Sequence, residues 1–337
     1  MTAATPRTPA PGQVKTGSRR PERPLQKVRR SCTAALARFG IDVIGRLPYG
    51  VAGGLGASFG SFGYWLNRRE SRRAVEHLAR AFPDESPRWH RRTAARLFSH
   101  IGRVAGEFVV AVRWTPEQRV RRVCVNPDEL ASTIEADTRD GCGMVFITAH
   151  FGLWEMLGAC IVATRPLTVV ARRLNDPRLS RLADNLRERA GMKVVYQDAW
   201  PRPLLRALRE REVVGILPDQ DVHRLPGIFA PFFGKDAYTP TAPVELAQRC
   251  GATMRMGLFA RDPDGYRIIF SDRMEVPSKE EGAEGLRRAT LAWTRFLEEQ
   301  MRQRPWQWMW MHRRWRTRPQ GESDSTSNAR LSGAMRD

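Results

Sequence analysis

The segment Ile147-Thr-Ala-His150-Phe-Gly-Leu-Trp-Glu155 holds a histidine and a carboxylate five residues apart. On a continuous helix that spacing turns the two side chains about 140° away from each other. They can meet only if His150 sits in a turn before a helix and Glu155 lies in the helix's first turn. A strand-to-helix elbow would therefore make a histidine–carboxylate pair, a general base with an orienting partner. The bland alternative is a structural or solvated pair, which is common for an isolated histidine near a glutamate.

The elements on either side fit the elbow. An apolar run (Met144–Thr148) reads as a strand and Trp154–Thr164 as a helix. The alternation continues with strands at Leu167–Ala171, Lys193–Tyr196 and Val213–Leu217. Helices are expected at Pro177–Ala190, Pro201–Glu210 and Thr241–Cys250. Thr253–Arg261 and Tyr266–Phe270 flank Pro263-Asp264-Gly265 as a hairpin, and Gly282–Gln303 closes as a helix. Upstream, a helix is expected at Ser71–Ala81, and a second starts at Ser86-Pro87, an N-cap with proline at the first helical position. The expected fold class is α/β: a mixed, mostly parallel sheet flanked by helices, with an N-terminal helical membrane-associating region.

In such sheets ligands bind beyond the carboxyl ends of the strands. Four polar clusters fall there: His150; Arg172 with Asn175; Tyr196-Gln-Asp198; and Asp219-Gln-Asp221 with Arg224 close behind. The Asp219/Asp221 pair suggests a metal at first sight, but no further ligand cluster has suitable spacing, and a hydrogen-bonded turn is the favoured reading. No phosphate-binding glycine loop and no serine nucleophile elbow is present. The apolar stretch Gly227–Gly234 has no helical period; it reads as core or as the wall of an acyl channel, with Phe232 and Phe233 as candidate lining.

The formal net charge is +20, from 56 Lys and Arg against 36 Asp and Glu, which points to a polyanionic partner such as nucleic acid, an anionic membrane or a phosphorylated substrate. The five cysteines (Cys32, Cys124, Cys142, Cys160, Cys250) are widely spaced, form no C-x-x-C pair and read as reduced core residues. Residues 1–30 read as a disordered basic tail and 320–337 as a second tail. Residues 31–70 read as the membrane-associating region and 71–319 as the α/β domain. Within that region, 47–67 carries no charge, has glycines at small-xxx-small spacing and ends at Tyr64-Trp65 before Arg68-Arg69, a membrane-interface pattern. Both a full span and a buried helical hairpin of a soluble domain remain open at this point. The segment Pro305–Pro319 alternates Trp306, Trp308 and Trp310 before turning basic, and reads as strand-like or interfacial, suited to lipid headgroups or to stacking on single-stranded nucleic acid.

Taken in order, these pieces resemble one family, the late (secondary) acyltransferases of lipid A biosynthesis, the lauroyl/myristoyl transferase group of the lysophospholipid acyltransferase-like superfamily. The matching pieces are Val75–Pro83, His150-x4-Glu155, Arg172 with Asn175 and Pro177, Pro218-Asp-Gln-Asp221, Phe229–Gly234 and Trp310–Pro319, covering roughly 35–319. The chain departs from the family at His77-Leu78 and at Ala171-Arg172-Arg173. The resemblance implies O-acyl transfer from acyl carrier protein to a hydroxyl of an anionic glycolipid acceptor, at the cytoplasmic face of the inner membrane, with no cofactor, no metal and no nucleic acid. It implies His150 as general base and Glu155 as its orienting partner, without a covalent enzyme intermediate. The helix N-terminus after His150 would keep the imidazole neutral at rest. Arg172, Asn175, Asp219, Asp221, Arg224, Phe232 and Phe233 are the expected substrate-binding residues. An acyltransferase acting on phosphatidylinositol mannosides and using acyl-CoA is the alternative. A basic nucleic-acid-binding protein is the distant one, and it leaves His150 and Glu155 unexplained.

Overall fold

The structure is a computed structural model that describes residues 35, 37–139 and 141–319; the expected tails at 1–30 and 320–337 lie outside the described residues. Six strands form one sheet in the order β3-β2-β4-β1-β7-β8. These are β1 (Met144–Ile147), β2 (Leu167–Ala171), β3 (Lys193–Tyr196), β4 (Val213–Ile216), β7 (Thr253–Asp262) and β8 (Gly265–Phe270). All neighbours are parallel except β7 and β8, which form the expected hairpin with Asp262 opposite Gly265.

The central strand β1 is buried at every position, so both of its faces must be covered. Val145 and Ile147 face a layer built from α8 (Arg202–Arg209), α9 (Ala242–Cys250) and α10 (Gly282–Gln303). Met144 and Phe146 face α6 (Trp154–Ile161) and the helices α4 (Pro116–Val123) and α5 (Pro127–Thr138). The helix α7 (Pro177–Arg189) follows β2 and leads to β3.

The apolar stretch Gly227–Gly234 forms a strand and the turn that follows it. Gly227–Phe232 (β5) pairs antiparallel with Lys235–Pro240 (β6), Phe232 opposite Lys235. Its two-residue turn, Phe233 (φ 51°) and Gly234 (φ 70°), has positive φ at both positions, as a type I′ turn requires.

The N-terminal part is a packed helical layer. α1 (Tyr49–Leu66), α2 (Arg68–Ala81) and α3 (Pro87–Ala111) follow in order. Ser86 caps α3 by accepting from Trp89 N at 3.2 Å, and Pro87 occupies the first turn as expected. α1 lies against α3 at backbone contact. A Cβ on Gly56 would sit 2.1 Å from Gly102 O, and one on Gly102 would sit 2.0 Å from Gly56 O. Only glycine permits that approach. Gly60, four residues after Gly56, makes a similar approach, a Cβ there falling 2.1 Å from Phe98 O, whereas Gly50 and Gly54 face open space. Opposite the glycine contact, α1 leaves Val51, Leu55, Phe59, Phe62, Trp65 and Leu66 exposed. No helix among the described residues is long and apolar enough to cross a membrane.

Candidate active site

β1 ends at Ile147, and the chain turns through Ala149-His150-Phe151-Gly152 into α6. Gly152 has φ +58°, and a Cβ there would fall 1.9 Å from Phe259 O on β7. The elbow thus needs glycine twice over: for its left-handed backbone and for its contact with the next strand. The C-terminal segment holds the elbow from the other side, with Met309 N donating to His150 O at 3.1 Å and Gly152 N to Gln307 O at 2.9 Å.

The imidazole of His150 is oriented by Asp219, at the end of β4, and not by Glu155. Asp219 accepts His150 Nδ1 at 2.9 Å, His150 backbone N at 3.0 Å and Trp308 Nε1 at 2.9 Å. It is 1 % exposed. Burial alone would raise its pKa. The charge of His150 and the three donated hydrogen bonds outweigh that effect and hold it down at about 2. An ionised Asp219 only accepts, so Nδ1 carries the hydrogen and Nε2 of the neutral ring is left as a base.

Burial pushes the His150 pKa down, but the Asp219 charge and hydrogen bond, with the nearby Glu155 charge, outweigh it and the net shift is upward. The expectation that the helix N-terminus keeps this base neutral is therefore corrected: a buried carboxylate in direct contact dominates a partial charge at the start of α6.

Glu155 lies in the first turn of α6, as its spacing requires, but its carboxylate is taken by Arg187 of α7, through Nε at 3.1 Å and a second bond from Nη2. Glu155 and Arg187, with His150 and Gln220, line a cavity of about 410 Å³. Arg172 is exposed and lines its mouth. Below the mouth the lining becomes apolar, with Phe146, Leu157, Ile161, Leu167, Val169 and Met192.

The other expected residues lie elsewhere. Asn175 and Arg224 are exposed and line no part of this cavity. Asp221 is buried and accepts from Thr317 N at 2.6 Å and Thr317 Oγ1 at 2.9 Å, so it ties the C-terminal segment to the β4 loop. Phe232 and Phe233 do not line the cavity. Phe232 packs on Trp308 and Trp315, and Phe233 on Phe82 and Trp310, because the β5–β6 hairpin turns them into the core.

Four residues that sequence reasoning passed over belong to the site: Thr148, Arg187, Trp308 and His312. Thr148 Oγ1 is buried on the cavity wall with no hydrogen-bond partner among the described residues. His312 also lines the cavity, and burial lowers its pKa to about 4, leaving it neutral near pH 7. Trp308 was visible as part of the tryptophan alternation, though not as a donor to Asp219. Nothing in the local pattern marks Arg187. Burial raises the Cys160 thiol pKa, which disfavours a thiolate nucleophile there. Among the described residues no group of three or more His, Cys, Asp or Glu side chains could hold a metal ion.

Comparison with known proteins agrees with the resemblance. Residues 23–317 match the model of the family described as bacterial lipid A biosynthesis acyltransferase. The chain is 29 % identical over 279 residues to a lipid A biosynthesis palmitoleoyltransferase of Escherichia coli K12, covering 81 % of this chain and 88 % of the relative. A lipid A biosynthesis acyltransferase of Shigella flexneri matches to the same extent. A lipid A biosynthesis lauroyltransferase of E. coli K12 is 27 % identical over 228 residues, 66 % of this chain and 73 % of the relative. The chain therefore belongs to the bacterial lipid A biosynthesis acyltransferase family and is an O-acyltransferase.

Proposed function

We propose that this enzyme transfers a fatty acyl group from acyl carrier protein to a hydroxyl of a lipid A precursor, with His150 as general base. The observation that carries the reading is the His150–Asp219 pair standing at the mouth of a cavity that is polar at the top and apolar below. His150 Nε2 takes the proton of the acceptor hydroxyl as its oxygen bonds to the thioester carbonyl carbon. Asp219 holds the ring and stabilises the imidazolium that forms. Collapse of the tetrahedral intermediate breaks the carbon–sulfur bond, and the imidazolium returns the proton to the departing thiolate. The buried hydroxyl of Thr148 is free to donate to the developing oxyanion. A neutral His312 adds no positive charge against the imidazolium. Arg172 at the mouth and the basic surface suit the acceptor's anionic groups. The route needs no cofactor.

We further propose that the enzyme works on the cytoplasmic face of the inner membrane, held there by the exposed apolar row of α1 and the adjoining Arg68 and Arg69 instead of by a span. The test is acyl transfer from acyl carrier protein to a tetra-acylated, Kdo-bearing lipid A precursor in detergent, with wild type beside His150→Ala. Loss of at least about a hundredfold in the variant supports the reading. Absence of wild-type transfer removes this acceptor and favours a phosphatidylinositol mannoside with acyl-CoA. Full activity in the variant sinks the mechanism.

A further inference from the structure

Gly215 lies in the middle of β4 with no positive φ to explain it. Glycine inside a strand costs stability and often marks a bulge, a bend, or close approach by a ligand or another backbone. Here it sits between Phe146 of β1 and Val169 of β2, its register partners on either side, and all three line the cavity. On this face the residues run Val213, Gly215 and, just beyond β4, Leu217, so the missing side chain leaves a slot between Val213 and Leu217.

The slot has a floor. Leu167, the first residue of β2, and Ile161, the last of α6, line the cavity, as does Met192 just ahead of β3. A Cβ on Gly158 of α6 would meet Met192 Sδ at 2.7 Å and Leu167 Cδ2 at 3.2 Å, so the end is closed by direct packing. From Leu167 at the floor to Ala171 near the mouth, β2 spans about 13 Å at the usual strand rise. An extended chain advances about 1.3 Å per methylene at ordinary carbon–carbon lengths, so about ten methylenes fit.

We infer that this slot takes the acyl chain and that Gly215 and Met192 set its length, selecting medium chains of about ten to twelve carbons over longer ones. The inference rests on the acyltransferase reading and adds which residues measure the substrate. Each methylene excluded from an apolar slot changes preference on the order of fourfold. Met192→Ala lowers the floor and admits about two further carbons. Gly215→Ala adds a Cβ just above the floor at ordinary contact distance, 3.4 Å from Leu167 Cδ1 and Val169 Cγ1, and so shortens the slot.

The experiment gives full-length wild type, Met192→Ala and Gly215→Ala the same equimolar mixture of acyl carrier protein thioesters, with even chains from eight to sixteen carbons, and the lipid A precursor. Product lengths are read by mass spectrometry. The inference expects a medium-chain maximum in wild type, a shift to longer products in Met192→Ala and to shorter ones in Gly215→Ala. Unchanged product lengths in active variants overturn it and leave the acyltransferase reading intact. If wild type transfers nothing, that reading fails. Calorimetric binding of alkyl carboxylates of the same lengths to the three proteins then decides the slot by itself: opposite shifts in preferred length support it, and coincident profiles overturn it.

Discussion

Two aromatic segments of this chain look alike in sequence and do opposite things. Residues 47–69 and 305–319 both combine aromatic side chains with arginines at one end, and both suit a lipid headgroup zone. The second turns inward. Trp308, Trp310 and Trp315 are at most 3 % exposed, and Trp308 donates to the carboxylate that orients His150. The first packs by glycines on α3 and leaves Phe59, Phe62 and Trp65 at least 63 % exposed. The difference lies in the partners each segment has. The C-terminal tryptophans have an apolar hairpin and a buried acceptor to meet. The face of α1 that packs is made of small residues, so its large side chains have nowhere to go but outward.

The sharpest test of the inward segment is Asp219→Asn. An amide can donate to Nδ1 and stabilise the wrong tautomer, so kcat/KM should fall on the order of a thousandfold or more with little change in melting temperature. Trp308→Phe keeps most of the ring volume and removes one of three donors to Asp219. It should cost about tenfold in kcat/KM, and a loss as large as that of Asp219→Asn would show that packing, not the hydrogen bond, is what Trp308 supplies. For the outward segment, Phe59→Ser with Trp65→Ser should weaken binding to anionic phospholipid vesicles by about tenfold or more while unfolding free energy stays within about 0.5 kcal/mol. A large loss of stability would mean that α1 is covered by protein. Glu155→Ala and Arg187→Ala should be non-additive, the double variant no worse than the worse single, because each side chain acts through the other. Finally, the proposed base His150 must be neutral to act, and its pKa is shifted above the ordinary 6.5. The rate should therefore rise with pH through a pKa above that value, and an ascending limb centred below it would contradict the Asp219 contact.

The strand–helix alternation from 143 to 303 was legible because apolar runs of strand length are separated by helix-length segments with plain stops. The elbow at His150 was legible for the same reason. The partner of that histidine was not. Spacing along the chain brings Glu155 to the right helix turn, but Asp219 reaches Nδ1 because β4 lies beside β1, a neighbourhood set by sheet order. The β5–β6 hairpin escaped because Pro231 and adjacent phenylalanines obscure alternation, and its turn has phenylalanine where glycine or asparagine is usual. Apolar side chains are conspicuous at Phe232 and Phe233, which do not line the cavity. The slot proposed for the acyl chain lies where a side chain is missing, at Gly215, and an absence is hard to see without knowing what stands beside it.

The dependence of the β4 loop on the C-terminal segment has a consequence for how the enzyme comes into being. Asp219 is braced by Trp308, and Asp221 by Thr317, roughly a hundred residues further along the chain. A ribosome that has released the chain through Asp219 has made every atom of the His150–Asp219 pair, yet has not made what holds it. Activity must wait until synthesis has passed Thr317 and the last turn has docked. A chain interrupted in that interval would carry the base and its carboxylate without a site.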